Sequence, residues 1–133
     1  MPLKITITDK DSGIFIVAPE GQINNSTYRI MEDHIKPLLD SKLNSQMEIM
    51  AFDLRSVNYI ASLGFGLLLK LKRILNEKNI SIMFFNIQPQ VKAIFKSIEF
   101  IPNHIFKDFN ELYEFIKKQR NNIQNENKNI KKE

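Results

Sequence analysis

The chain is 133 residues long, contains no cysteine and carries a formal net charge of +4. Its length fits one domain with a sizeable core, and the missing cysteines exclude disulfides, thiolate metal sites and thiol nucleophiles. The charge is uneven: residues 1–116 hold 13 Lys and Arg against 13 Asp and Glu, residues 117–133 hold 6 against 2, so the first stretch reads as the domain and the second as a basic tail, disordered or a fraying helix.

The opening MPLKITITDKDSG lacks an apolar core of signal-peptide length, and no apolar run approaches a membrane span. A cytoplasmic protein with no membrane insertion is expected. Leu3, Ile5 and Ile7 alternate with Lys4, Thr6 and Thr8, the pattern of a half-buried strand. Residues 9–13 read as a turn and Ile14 to Val17 as a second strand, giving a hairpin. Pro19, Glu20 and Gly21 are expected to end it.

Tyr28, Met31, Ile35, Leu38 and Leu39 fall on one helical stripe, with Asn24, Asn25 and Ser26 available as caps. Pro37 is expected to kink or shorten that helix, because it lacks an N–H. MEIMAF, residues 47–52, is apolar on both faces, as a central strand should be. After Ser62 a second helical stripe runs through Leu67, Leu68, Leu71, Ile74 and Leu75. ISIMFFNI, residues 80–87, reads as another buried strand.

Pro89 fits the first position of a helix that buries Val91, Ile94, Phe95 and Ile98. Residues 103–108 offer a short edge strand. Asp108 and Glu111 have capping-box spacing for a last helix with Leu112, Phe115 and Ile116 inward. Strands separated by helices imply parallel pairing. The fold class is therefore α/β: a mixed sheet of four to five strands, an antiparallel hairpin followed by parallel strands, with about four helices.

IASLGFG, residues 60–66, stands where a strand hands over to the second helix. A serine there caps backbone N–H groups. It could equally carry a phosphate, which the helix N-terminus would accommodate and which adds about −1.5 to −2 charge. Gly64 and Gly66 each cost about 1 kcal/mol of helix propensity. Three explanations compete: tight packing on the sheet, a φ closed to other residues, or close approach of another molecule's backbone.

The stretches PEGQINNST (19–27), FDLRSVNYIASLGFGLLLKLKRIL (52–75) and ISIMFFNIQPQVKAIFKSIEF (80–100) resemble the STAS domain, and within it the bacterial anti-sigma factor antagonists. The likeness covers about residues 3–116. It implies a partner-switching subunit of transcription control. In the family, a serine in Asp-Ser-(Ser/Thr)-Gly-(Leu/Ile)-Gly is phosphorylated by an anti-sigma factor that is also a kinase, and a phosphatase restores it. Ser62 falls on that serine, Gly64 and Gly66 on the two glycines, Phe65 on the residue between them, and Asp53 on an acidic strand end. Ala61 replaces the signature aspartate and Leu63 the second hydroxyl. The Gly-Glu-Leu-Asp turn of the family reads Gly21-Gln22-Ile23-Asn24 here, so two carboxylates near the serine are missing.

The resemblance makes Ser62 the phosphorylation site. It puts the contact surface at Gln22, Asn24, Ser62, Leu63, Gly64, Phe65 and Gly66. The partners it implies are an anti-sigma factor serine kinase and a serine phosphatase, with the chain itself a monomer and not an enzyme. The alternative is a STAS subunit that binds constitutively, for example in a lipid-transport ATPase complex.

Other chemistry finds little footing. His34 and His104 are the only histidines, and without an acid pair at ligand spacing no metal site is expected. Ser62 lacks the Gly-x-Ser-x-Gly elbow of a hydrolase, and no Lys follows the glycines as a phosphate-binding loop requires. No cofactor is implied. Phe84, Phe85, Phe95 and Phe100 read as core, Asp53 as a local backbone acceptor. The tail has no aromatic for base stacking, so no nucleic-acid partner is expected.

Overall fold

A computed structural model describes residues 3–11, 13–40, 46–97 and 104–131. Six strands and four helices occur among them. The order is β1 (Lys4–Asp11), β2 (Ile14–Ile23), α1 (Tyr28–Asp40), β3 (Ile49–Asp53), β4 (Ser56–Ile60), α2 (Ser62–Glu77), β5 (Ser81–Phe85), α3 (Pro89–Ser97), β6 (Ile105–Phe106) and α4 (Phe109–Lys131). The sheet runs β1-β2-β3-β5-β6, with β4 paired to β2. The β1–β2 pair is antiparallel and the others are parallel. The expected α/β class, hairpin and parallel strands are all present.

β3 and β5 are buried on both faces, and their alternating side chains sort the core into two layers. Met50, Phe52, Ile82 and Phe84 join the cluster fed by α1, α2 and α3. Ile49, Ala51, Met83 and Phe85 join the cluster capped by Leu112 and Ile116 of α4. Phe84, Phe85 and Phe95 are core, as expected; Ile98 and Phe100 lie outside the described residues.

Several boundaries differ from expectation. β2 does not end at Pro19 but continues to Ile23. Its neighbour changes on the way: Ile14 to Val17 pair with β3, and Glu20 to Ile23 with β4. Pro19 falls in the gap between the two ladders, where a missing N–H costs least. Gly21 then takes φ +127° at the register shift opposite β4, a conformation that suits glycine at a bulge.

β4 itself was not expected. Pro37 does not shorten α1, which continues to Asp40. The proline is exposed, and the carbonyl it strands belongs to exposed Asp33, where water can serve. Pro89 opens α3 as expected. The amide of Glu111 donates to the Asp108 carboxylate at 2.9 Å, the expected cap of α4. Residues 117–131 lie in that helix.

Candidate functional site

The ends of β2 and β4 lie side by side, with Gln22 opposite Tyr59 and Ile23 opposite Ile60. Each strand leads into a helix on the same side of the sheet. The Ala61 amide donates to the Ile23 carbonyl at 2.8 Å, and the Ala61 carbonyl accepts the first helical bond from Phe65 at 3.0 Å. Ala61 is thus the N-cap of α2, with extended φ −85° and ψ 172° and no side-chain cap. This corrects the expectation that Ser62 caps the helix. Ser62 is its first residue, exposed, and no protein group among the described residues hydrogen-bonds its hydroxyl.

The phase of α2 explains why. A Cβ on Gly64 would stand 2.8 Å from the Ile23 side chain, 2.9 Å from that of Ile60 and 3.0 Å from the Ile23 carbonyl oxygen. Gly64 therefore lets the helix press onto the strand ends, and tight packing answers the question for this glycine. Phe65, only 5% exposed, meets the Phe95 ring edge-on at 5.1 Å. This corrects the expected contact surface: Gly64 and Phe65 are turned to the core and buried, and of the α2 residues expected there Ser62, Leu63 and Gly66 are left on the outside. Leu63 is 46% exposed. At Gly66 an added Cβ would meet nothing within 4 Å.

Asn24 shapes the neighbouring turn. Its Oδ1 accepts the amides of Ser26 at 2.8 Å and Thr27 at 3.0 Å, an Asx turn ahead of α1. Its Nδ2 reaches Gln22 Oε1 at 3.5 Å. Thr27, buried, locks the turn further: its hydroxyl donates to the Gln22 carbonyl at 2.6 Å and accepts the Asn24 amide at 2.9 Å. Thr27 was missed in the sequence; the run Asn-Asn-Ser-Thr before an apolar stripe was the available signal. Asp53 behaves as expected, accepting from the Arg55 amide at 3.1 Å and from Asn86 Nδ2 at 3.2 Å.

Beside the exposed junction, α1 and α2 flank a groove of about 470 Å³. Tyr28, Arg29, Glu32 and Asp33 form one wall; Leu63, Gly66, Leu67 and Lys70 form the other. Among these, Leu63 and Gly66 were expected on the contact surface, and Tyr28 and Leu67 on the inward stripes of their helices. Arg29 Nε donates to the Tyr28 hydroxyl at 3.2 Å. That hydrogen bond, the largest cause, pushes the guanidinium above its ordinary range.

The histidines lie elsewhere. His34 is exposed, its Nδ1 2.8 Å from the Ile30 carbonyl. His104 packs on Phe106 and Phe115, with ring centroids 6.5 and 5.3 Å away. Its Nδ1 is buried with no partner among the described residues. Among those residues no group of His, Asp and Glu could hold a metal, and no helix is long and apolar enough to cross a membrane.

A small mixed-sheet α/β domain built around a strand-to-helix junction is the class this geometry defines. The STAS domain model matches residues 6–114, and the chain belongs to the STAS domain family. No curated protein matches the sequence. Solved structures with the same fold include an anti-sigma factor antagonist from Mycobacterium paratuberculosis, with a TM-score of 0.73 and 16% identity over 86% of this chain and 94% of that one. The unphosphorylated anti-sigma factor antagonist SpoIIAA gives 0.64 and 15%, over 88% and 98%. The murine anion transporter Slc26a9 gives 0.66 and 18%, over 80% of this chain but 18% of the transporter.

Proposed function

We propose that the protein is an anti-sigma factor antagonist. It binds an anti-sigma factor that is also a serine kinase, and phosphorylation at Ser62 releases it. A serine phosphatase resets it, and transcription responds through the sigma factor set free. The chain catalyses nothing; it acts in the cytoplasm as a monomer through an interface of Gln22, Asn24, Ser62, Leu63 and Gly66, supported from beneath by Gly64 and Phe65. The basic helix end is not used for nucleic acid.

One observation carries this reading: the Ser62 hydroxyl is exposed at the first residue of α2, free of protein partners among the described residues, and precedes Leu63 of the groove wall. A phosphate there meets the positive end of the helix and costs the fold nothing. It does place about two negative charges in a contact made by uncharged side chains. The test is intact mass after incubation with the anti-sigma factor kinase of the same genome and ATP. One added phosphate that Ser62→Ala abolishes supports the reading. No mass gain, with a kinase active on another substrate, refutes it.

A second reading has its own support. Ala61 and Asn24 stand where the family has carboxylates, and the same fold forms part of the far longer chain of an anion transporter. On that reading the domain is a constitutive subunit, for example of a lipid-transport ATPase complex. It would use the same face, and Ser62 would carry no phosphate in cells.

A further inference from the structure

The fold gives no reason for a glycine at position 66. The residue is exposed within α2, its φ is not left-handed, and an added Cβ would meet nothing within 4 Å. Only proline is less favourable inside a helix. Gly64 has its explanation in Ile23 and Ile60; Gly66 has none inside the chain. What it does have is a place on the wall of the groove between α1 and α2.

That groove is longer than the hollow beside Ser62. It continues along both helices as a second hollow of about 290 Å³, whose apolar lining is Leu39, Leu67, Leu71 and Ile74. Its walls differ in charge. The charged residues contributed from the α2 side are Lys70 and Lys78, whereas on α1 Glu32, Asp33 and Asp40 outnumber Arg29 and Lys36. Asp33 and Asp40, like Lys70 and Lys78, are about two helical turns apart, roughly 10–12 Å. The Lys70–Glu32 ion pair spans the groove at 3.0 Å with both side chains partly exposed. Such a pair is weak and easily parted.

We infer that the groove receives an amphipathic helix of the partner protein, its backbone seated on Gly66. The helix lays an apolar stripe on exposed Leu63 and half-buried Leu39 and Ile74, acidic side chains along Lys70 and Lys78, and basic side chains along Asp33 and Asp40. This rests on the proposed function and names the segment that the Ser62 surface takes. It also explains the switch: a phosphate on Ser62, next to Leu63 at the mouth, meets the acidic edge of the incoming helix.

The test measures binding of the purified anti-sigma factor kinase of the same genome by calorimetry, with the Tm of each variant alongside. Gly66→Ala is expected to raise Tm by about 3–5 °C while weakening binding. Gly66→Leu is expected to weaken binding by at least about tenfold. Asp33→Lys with Asp40→Lys is expected to weaken it by about threefold or more at low salt, and less at high salt.

Gly66→Leu binding within about threefold of wild type would overturn the groove while leaving the proposed function standing. A lower Tm for Gly66→Ala would assign the glycine to the fold and overturn it too. A charge reversal without effect rejects the stated helix. If wild type binds no such kinase, the proposed function and this inference fall together.

Discussion

The Ile23 carbonyl and the Ala61 amide are joined by a 2.8 Å hydrogen bond, which ties the end of β2 to the cap of α2. Both helices that flank the groove therefore start from one fixed corner of the sheet. Ser62 is held at a set place although its own side chain makes no bond to the protein among the described residues. Rigid backbone under a free hydroxyl is what a modifiable interface needs.

Gly64→Ala tests that corner. The new methyl would stand 2.8 and 2.9 Å from two isoleucine side chains and 3.0 Å from a backbone oxygen that cannot yield cheaply. Overpacking costs about 1–3 kcal/mol, and better helix propensity returns about 1. A net loss of up to about 2 kcal/mol is expected in urea unfolding, the opposite sign to Gly66→Ala.

Asn24 holds its turn through one oxygen. Asn24→Asp keeps that acceptor and is expected to leave stability within about 0.5 kcal/mol. Asn24→Ala removes both bonds and should cost about 1–2 kcal/mol. Asn24→Asp combined with Ala61→Asp restores two carboxylates of the family pattern, leaving Gln22 as an amide. On the proposed function this pair is expected to speed phosphorylation of Ser62, read from the initial rate of phosphate incorporation.

Ser62→Asp separates fold from interface. A carboxylate at the first residue of a helix is favourable by about 0.3–1 kcal/mol, so thermal unfolding should be unchanged or slightly later. Partner binding should weaken by about 2 kcal/mol or more, since a charge enters a desolvated contact. Loss of folding in this variant would count against an exposed serine.

His104 gives the protein an acid-side weakness. Burial, then the Lys72 cation, lower its pKa below the ordinary histidine value. The folded ring resists a proton that the unfolded chain accepts near pH 6.5. Stability is therefore undiminished above that value and falls as pH drops through it towards the lower folded pKa. Tm should be lower at about pH 5.5 than at about pH 7.5, and His104→Phe should remove part of that difference.

Locally encoded features were legible in the sequence. Asp108 three residues before Glu111, and Pro89 ahead of an apolar stripe, depend on neighbours a turn away, and both stand where expected. β4 was not legible, because its buried residues Val57 and Ile60 are three apart and break the two-residue period. What makes it a strand is pairing with Glu20 to Ile23, more than thirty residues earlier. The serine at the α2 start could be seen, but its role as first residue, not cap, is set by Gly64 meeting Ile23 and Ile60. The groove could not be seen at all, since its walls come from helices brought together only by the sheet.

The account turns on whether phosphate at Ser62 controls docking. The direct measurement compares the affinity of the anti-sigma factor kinase for the unmodified chain and for the same chain carrying one phosphate at Ser62, at one salt concentration. A loss of about thirtyfold or more on phosphorylation is expected. Equal affinity of the two forms would contradict it.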